Sequence, residues 1–317
     1  MRYRDAKIYV AGHTGLIGSS ILRNLKERGF RNLVTKSHVE LDLCNQADVR
    51  AFFRQDKPEI VFMCAGRVGG IIENRDHPAE FMAQNLAMAF HTIEASQHYG
   101  AKKYFFFGSS CMYPRQCPQP MVEEALLTGK PEATSLSYAV AKLAGVSMCL
   151  AFNEQYGDCS FIPVIPNNAY GPRDNFDLTS SHVLAALVRK IHEAKKSKSP
   201  KVVLWGTGKP RREFVFVDDI ADACLFLLER QLANDILPIN IGVGEDLSIA
   251  ELAAKVAQGV GYSGEIEFDS SKPDGAPRKL LDASRLHRLG WQQKVSLQQG
   301  LKITYDWYVN EGEKHSG

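Results

Sequence analysis

One turn constrains this chain more than any other feature: Gly12-His13-Thr14-Gly15-Leu16-Ile17-Gly18, set between an apolar run and an amphipathic one. Lys7–Ala11 reads as a strand, and Ile17–Arg28 has the period of a helix that stops at Gly29. Glycines at such a join permit a tight turn and let backbone N–H groups approach an anion. A diphosphate there also meets the positive end of the helix dipole. The spacing is G-x-x-G-x-x-G, not the commoner G-x-G-x-x-G, and such a turn can also join strand to helix with no ligand.

The pattern continues downstream. Leu33–Thr35, Ile60–Ala65, Lys103–Gly108 and Ser160–Ile165 read as strands, with helices at Gln46–Gln55, Pro78–Tyr99 and Tyr138–Tyr156 between them. Alternation of this kind predicts an α/β fold, a doubly wound Rossmann-type parallel sheet with right-handed crossovers. After Pro166 the regularity weakens. A helix at Ser181–Lys195 runs into the charged stretch KKSKSPK, which reads as a solvated helix end and loop. Arg212–Asp219 and Leu237–Gly242 read as returns to the sheet, Ser248–Val260 as a helix and Pro273–Lys279 as a loop. The expected layout is a dinucleotide-binding domain of residues 1–169 plus about 213–242. A smaller C-terminal α/β substrate domain is expected from 170–212 and 243–317, with the ligands in the cleft between them.

Composition excludes several classes. With 317 residues, 44% of them hydrophobic, and a net charge of +2, the chain offers no basic excess for nucleic acid. Its longest apolar stretches, Ile60–Gly66 and Tyr104–Gly108, are far short of a bilayer, and MRYRDAKIYV enters a strand with no apolar signal segment. The seven cysteines lack CxxC or Cys/His spacing, so no metal is expected, and a cytoplasmic protein with reduced thiols is.

The second strand ends Thr35-Lys36-Ser37-His38, with no acid to hold ribose hydroxyls. Lys36 and His38 suit a 2′-phosphate, which favours NADP(H) over NAD. Asp42 and Leu43 are placed to meet the adenine, one as acceptor and one as apolar surface.

Tyr138 and Lys142, four residues apart, share one helix face. The ammonium is expected to lower the phenol's pKa toward acid–base use. The pair arises by chance on many helices, and the upstream glycine turn gives it weight. Gly108-Ser109-Ser110-Cys111-Met112-Tyr113-Pro114 closes the fourth strand and puts the Ser109 hydroxyl at the mouth of the sheet. Together these residues predict hydride transfer at a carbinol carbon, with Tyr138 exchanging the oxygen's proton.

On these residues the chain resembles the extended short-chain dehydrogenase/reductases that act on nucleotide sugars, and among them the GDP-L-fucose synthase family. The stretches AGHTGLIGS, VGGI, GSSCMYP, SYAVAKLAG, NAYGPRDNF, SHV, WGTGKPRREFVFVDD and SKPDGAPRKLLD carry the resemblance, from residue 7 to about 308. It implies NADPH-dependent 3,5-epimerisation and 4-reduction of a GDP-linked 4-keto-6-deoxy sugar, giving GDP-L-fucose from the mannose derivative. Epimerisation falls to Cys111 as base and His182 as acid, and reduction to Ser109, Tyr138 and Lys142. By themselves Cys111 and His182 read more readily as ordinary structural residues than as an acid–base pair.

The resemblance also assigns ligand contacts. Cofactor contacts fall on Gly12, His13, Thr14, Gly15, Leu16, Ile17, Gly18, Lys36, His38, Asp42 and Leu43. They continue through Gly108, Ser110, Lys142, Pro166, Asn167, Asn168, Ala169 and His182. Nucleotide-sugar contacts fall on Arg189, Trp205, Arg212, Asp274 and Lys279. The helices Pro78–Tyr99 and Tyr138–Tyr156 match a homodimer interface, though core packing explains them as well. Thr14 and His38 stand where the family carries arginines, with Lys36 as compensation. Asn167 replaces a family threonine close to the sugar, which points to a related GDP-6-deoxy-heptose as the alternative substrate. A redox sensor without catalysis is disfavoured by the retention of both Tyr138 and Lys142.

Overall fold

The structure, a computed structural model, describes residues 3–272 and 274–312. The outermost ends of the two expected domains, and Pro273 at the head of the expected loop, lie outside those residues. The first half alternates as its apolar runs require. It runs β1 (Ile8–Ala11), α1 (Leu16–Glu27), β2 (Leu33–Val34), α2 (Gln46–Asp56), β3 (Ile60–Met63) and α3 (Ile71–Asp76). Then come α4 (Pro78–His98), β4 (Lys103–Phe107), α5 (Leu136–Gln155) and β5 (Ser160–Pro166). The strands β1, β3 and β4 are buried throughout, which is why they are near-continuous apolar runs without alternation.

The second half is less regular: β6 (Asn168–Tyr170), α6 (Val183–Lys196), β7 (Lys201–Trp205), β8 (Arg211–Arg212), β9 (Phe214–Phe216), α7 (Val217–Leu228) and β10 (Ile239–Ile241). It closes with β11 (Leu247–Ser248), α8 (Ile249–Val260), β12 (Glu265–Asp269), β13 (Arg278–Lys279), α9 (Ser284–Arg288) and α10 (Leu297–Asn310). The central sheet has the order β10-β5-β4-β3-β1-β2, with every pairing parallel. The chain passes from β1 to β2 on one side and returns at β3 on the other, so the order reverses between β1 and β3. That reversal is where doubly wound sheets open a crevice.

Two expectations about the second half meet different fates. Leu237–Gly242 does rejoin the sheet, as β10 beside β5. Arg212–Asp219 does not. Its β8 lies in a small sheet between β11 and β13, β9 pairs with β6, and the chain is helical from Val217. The edge of β5 is taken by β10, and Asp218 and Asp219 favour a helix N-terminus. The stretch 273–279 ends in the strand β13, not in loop.

Apolar residues gather in three clusters. One lies between the sheet and α1 with α7, and a second between the sheet and α2, α4 and α5. A third joins α6, α8 and α10 to β7 and β9. The stretch Ala133–Gln155 is long and apolar enough to cross a membrane by composition alone, which the short-run reading of the sequence overlooked. It carries buried Tyr138, Lys142 and Asn153, and it packs on α4 and the sheet.

Candidate active site

At the reversal point a cavity of about 580 Å³ opens between the ends of β1 and β3. Gly12, His13 and Thr14 line it from the turn, Lys36, His38, Asp42 and Leu43 from beyond β2, and Ala65 and Gly66 from beyond β3. The glycines of the turn have different physical reasons. Gly12 takes a φ of +70°, and a Cβ on it would lie 2.7 Å from the Ala65 nitrogen. A Cβ on Gly18 would collide with the Gly12 carbonyl. A Cβ on Gly15 would meet only that carbonyl oxygen, at an ordinary 3.5 Å. Packing demands the first two, and Gly15 keeps open the approach to α1. It caps that helix with no side chain over the N–H groups, and there is no acid in the first turn. The buried Nδ1 of His13 lacks a hydrogen-bond partner. Leu16, Ile17 and Gly18 form the first turn of α1. This bare helix start, with an orphaned polar atom beside it and Lys36 across the cavity, fits a phosphorylated dinucleotide.

The stretch beyond β2, where the adenine is expected, is more built than the sequence shows. The Asp42 carboxylate accepts from the Cys44 N–H at 2.9 Å and lies 3.9 Å from His38. Glu40 is an acid the sequence reading missed. It accepts from the N–H and hydroxyl of Ser37, at 2.8 and 2.7 Å, and these bonds hold it below the usual carboxylate range. Its carboxylate is turned onto Ser37, outside the cavity lining.

Tyr138 and Lys142 occupy one face of α5, as their spacing requires. Burial pushes the phenol of Tyr138 up, Cys111 beside it adds to this, and a hydrogen bond with Ser109 works the other way. Lys142 is also buried and its pKa is brought down to about 8, with the Cys64 thiol opposing. Its Nζ donates to the Phe107 carbonyl at 2.9 Å and lies 5.9 Å from the Tyr138 ring centroid. The expected lowering of the phenol by Lys142 is thereby corrected: the ammonium turns to the end of β4, and burial decides. Phe81 stands edge-on to Tyr138 with ring centroids 6.4 Å apart.

The segment Gly108–Ser110 leaves β4, and Ser109 begins the short 3₁₀ turn at Ser110–Met112, accepting from the Cys111 N–H at 3.3 Å. Burial pushes the Cys111 thiol up. The Lys279 ammonium, with hydrogen bonds to Ser109, Lys279 and Ser135, outweighs burial and brings it below its ordinary value. Lys279 Nζ is 3.5 Å from the sulfur. His182 stands at the N-terminus of α6, and the Gly70 N–H pins the preceding loop through the Ser180 carbonyl at 3.0 Å. Burial depresses the imidazole, and Lys279 depresses it further. Ser109, Cys111, Tyr138, His182 and Lys279 thus come together from distant parts of the chain.

The expected nucleotide-sugar contacts divide. Arg212 pairs with Lys279 in register across β8 and β13, and its guanidinium feels both Cys111 and Asp274. Asp274 accepts from the Thr207 N–H and hydroxyl at 2.9 and 2.6 Å. Trp205 is 63% exposed, with the ammonium groups of Lys190 and Lys272 at 5.6 and 5.8 Å from its ring. Arg189 is not brought there. It pairs with Glu193 at 2.7 Å and donates to the Phe176 carbonyl at 3.3 Å, so Lys190, one residue round the helix, faces Trp205 instead.

Pro166 ends β5 and Asn168 and Ala169 begin β6. Between them Asn167 is only 4% exposed. Its amide donates to the Glu213 carboxylate and accepts from the Asn168 side chain at 3.0 Å. The side chain is therefore turned into the protein, which removes it as a signal for a heptose. Glu213, fully buried, also accepts from the N–H groups of Val243, Gly244 and Leu281 at 2.6, 2.8 and 3.0 Å. The one trace of this hub in the sequence is a lone acid inside the apolar run REFVFV.

Residues 8–242 match the NAD dependent epimerase/dehydratase family. A GDP-L-fucose synthase from Arabidopsis thaliana is 51% identical over 98% of this chain and 95% of its own length. The crystal structure of a GDP-L-fucose synthetase from Naegleria fowleri bound to NADP superposes with a TM-score of 0.90, at 28% identity, covering 98% of this chain and 96% of that one. A GDP-mannoheptose C4 reductase from Campylobacter jejuni with NADP bound gives 0.89 at 40% identity, covering 97% and 99%.

Proposed function

We propose that this chain, which belongs to the NAD dependent epimerase/dehydratase family and, within it, to the GDP-L-fucose synthases, epimerises and then reduces a GDP-4-keto-6-deoxy sugar. The product from GDP-4-keto-6-deoxy-D-mannose is GDP-L-fucose, and the cofactor is NADP(H). The observation that carries this reading is the gathering of Cys111 and His182 around Lys279, beside Ser109 and Tyr138.

The 4-keto group acidifies the hydrogens at C3 and C5. Cys111 takes a proton from carbon as its S–H bond forms, and the electron pair moves onto the C4 oxygen. The Ser109 and Tyr138 hydroxyls hydrogen-bond that oxygen while it is negative. His182, in its imidazolium form, gives a proton to that carbon from the other side of the ring, which inverts the centre and leaves the imidazole neutral. NADPH, when bound, supplies the hydride to C4. Tyr138 gives the C4 oxygen its proton, and Lys142, one helical turn away, holds the nicotinamide ribose. Arg212 and Lys190 meet the diphosphate, and Trp205 offers its open face to the nucleotide or sugar.

Residues 1–169 with 213–242 serve as the cofactor half, and 170–212 with 243–317 as the substrate half. The half-exposed Phe90, Val140 and Tyr156 on and just beyond α4 and α5 suit a homodimer built on those helices, in a cytoplasmic enzyme.

Turnover of GDP-4-keto-6-deoxy-D-mannose in deuterated water, followed by NMR, tests this reading. Deuterium at both C3 and C5 of GDP-L-fucose is expected. A product reduced at C4 with no deuterium at either carbon would leave a simple reductase, and turnover of the heptose substrate alone would move the specificity.

A further inference from the structure

We propose that Lys279 is a positioning residue for Cys111: its ammonium pairs with the sulfur and holds it as the thiolate that removes a proton from carbon. The inference rests on the reading above of Cys111 as the epimerising base.

Strand alternation brings the two groups together. β13 runs parallel to β8, with Arg278 opposite Arg211 and Lys279 opposite Arg212. Successive side chains on a strand point to opposite faces. On one face Arg211 and Arg278 both bond the buried Asp246 carboxylate, Arg211 at 2.8 Å. The other face presents Arg212 and Lys279 side by side, and Lys279 reaches the sulfur at 3.5 Å.

The groups bearing on the sulfur come from four elements. Ser109 lies at the end of β4, Ser135 in the turn before α5, and Tyr138 on α5, while Arg212 and Lys279 project from the β8–β13 pair. The two serine hydroxyls donate hydrogen bonds, Tyr138 is neutral, and both cations favour an anion. Burial alone would keep the thiol protonated. Of the two cations, Lys279 is the one in contact, and a contacting cation is what lowers a thiol's pKa most. The same ammonium depresses His182. Removing it therefore moves both midpoints upward, although the two groups carry opposite charge when ionised. Loss of a merely structural contact has no reason to produce that paired shift.

The test needs no sugar. Full-length protein is alkylated with iodoacetamide across a pH range, and the Cys111 peptide is quantified by mass spectrometry, while His182 is titrated by NMR. Lys279→Met is expected to cut the neutral-pH alkylation rate of Cys111 about tenfold by raising its midpoint about one pH unit or more. It also raises the His182 midpoint, and Lys279→Arg restores both. Lys279→Gln carries the same expectation should the methionine variant fail to fold. An unmoved Cys111 midpoint in a folded neutral variant overturns the pairing, whichever sugar the enzyme turns over. A raised midpoint with undiminished deuterium entry at C3 and C5 keeps the ion pair and overturns the role of Cys111 as base.

Discussion

The ammonium of Lys142 donates to the carbonyl of Phe107 at 2.9 Å and not to the phenol of Tyr138, one helical turn away. A buried cation anchored on a backbone carbonyl has a definite titration signature. Its pKa falls from 10.5 to about 8, so between those values the unfolded chain holds a proton that the folded protein has released. The cost of burying the charge is in full force below pH 8 and is lifted as the pH climbs toward 10.5. The stability of the wild type relative to Lys142→Met should therefore rise through that window, by at most about 1.4 kcal/mol per pH unit. Thermal unfolding of the two proteins across the window measures it, and a constant gap would show that the charge is solvated.

The two stages of the reaction should separate by mutation. Tyr138→Phe is expected to slow reduction by about 10²- to 10⁴-fold, the usual worth of a general acid, while deuterium still enters C3 and C5 of the keto sugar. Cys111→Ala should do the reverse, abolishing exchange at those carbons and leaving hydride transfer to C4 competent. Equal loss of both stages in either variant would contradict the division of labour.

Gly15 and Gly18, three residues apart along one turn, should fail differently on replacement by alanine. Gly18→Ala drives a Cβ into the Gly12 carbonyl and should lower the melting temperature by many degrees. Gly15→Ala meets only an ordinary contact at a φ of −77°, so the melting temperature should hold. Its methyl instead intrudes on the diphosphate approach, and NADPH affinity should drop by about tenfold or more. Thermal shift and fluorescence titration distinguish the two outcomes.

Glu213→Gln keeps shape but places an amide NH₂ among the donors of Asn167, Val243, Gly244 and Leu281. At about 1–3 kcal/mol for each buried group left unpaired, destabilisation of several kcal/mol is expected. Chemical denaturation at neutral pH measures it, and a shift below about 1 kcal/mol would mean that water replaces the lost partner.

Lys36→Ala should weaken NADPH by about tenfold and leave NADH nearly unchanged, because its ammonium is available to a 2′-phosphate that NADH lacks. If both cofactors weaken together, Lys36 serves the cavity wall and not the phosphate.

What could be read from the sequence was what is local. The glycine turn, the Tyr138/Lys142 pair and the Ser109–Cys111 segment each lie within one strand–turn–helix unit, where spacing alone fixes geometry. Failures came where geometry depends on rotation or on distant chain. Arg189 and Lys190 differ by about 100° around α6, enough to exchange a salt bridge with Glu193 for a place over Trp205. Asn167, read as a cofactor contact close to the sugar, has its amide engaged by Glu213, 46 positions away. REFVFV reads as a sheet strand, yet its pairing is decided by β10 having occupied the edge of β5.

Cys111 and Lys279 are 168 positions apart in the chain, one in the first half and one on a two-residue strand near the end. The chemistry of the sulfur therefore belongs to neither half. Where the C-terminal part has not docked, the sulfur lacks the Lys279 ammonium, so an activated thiol requires both parts of the chain. Cys111 is thus an internal clock for assembly. A change in its alkylation rate during refolding marks the moment when the second half closes on the first.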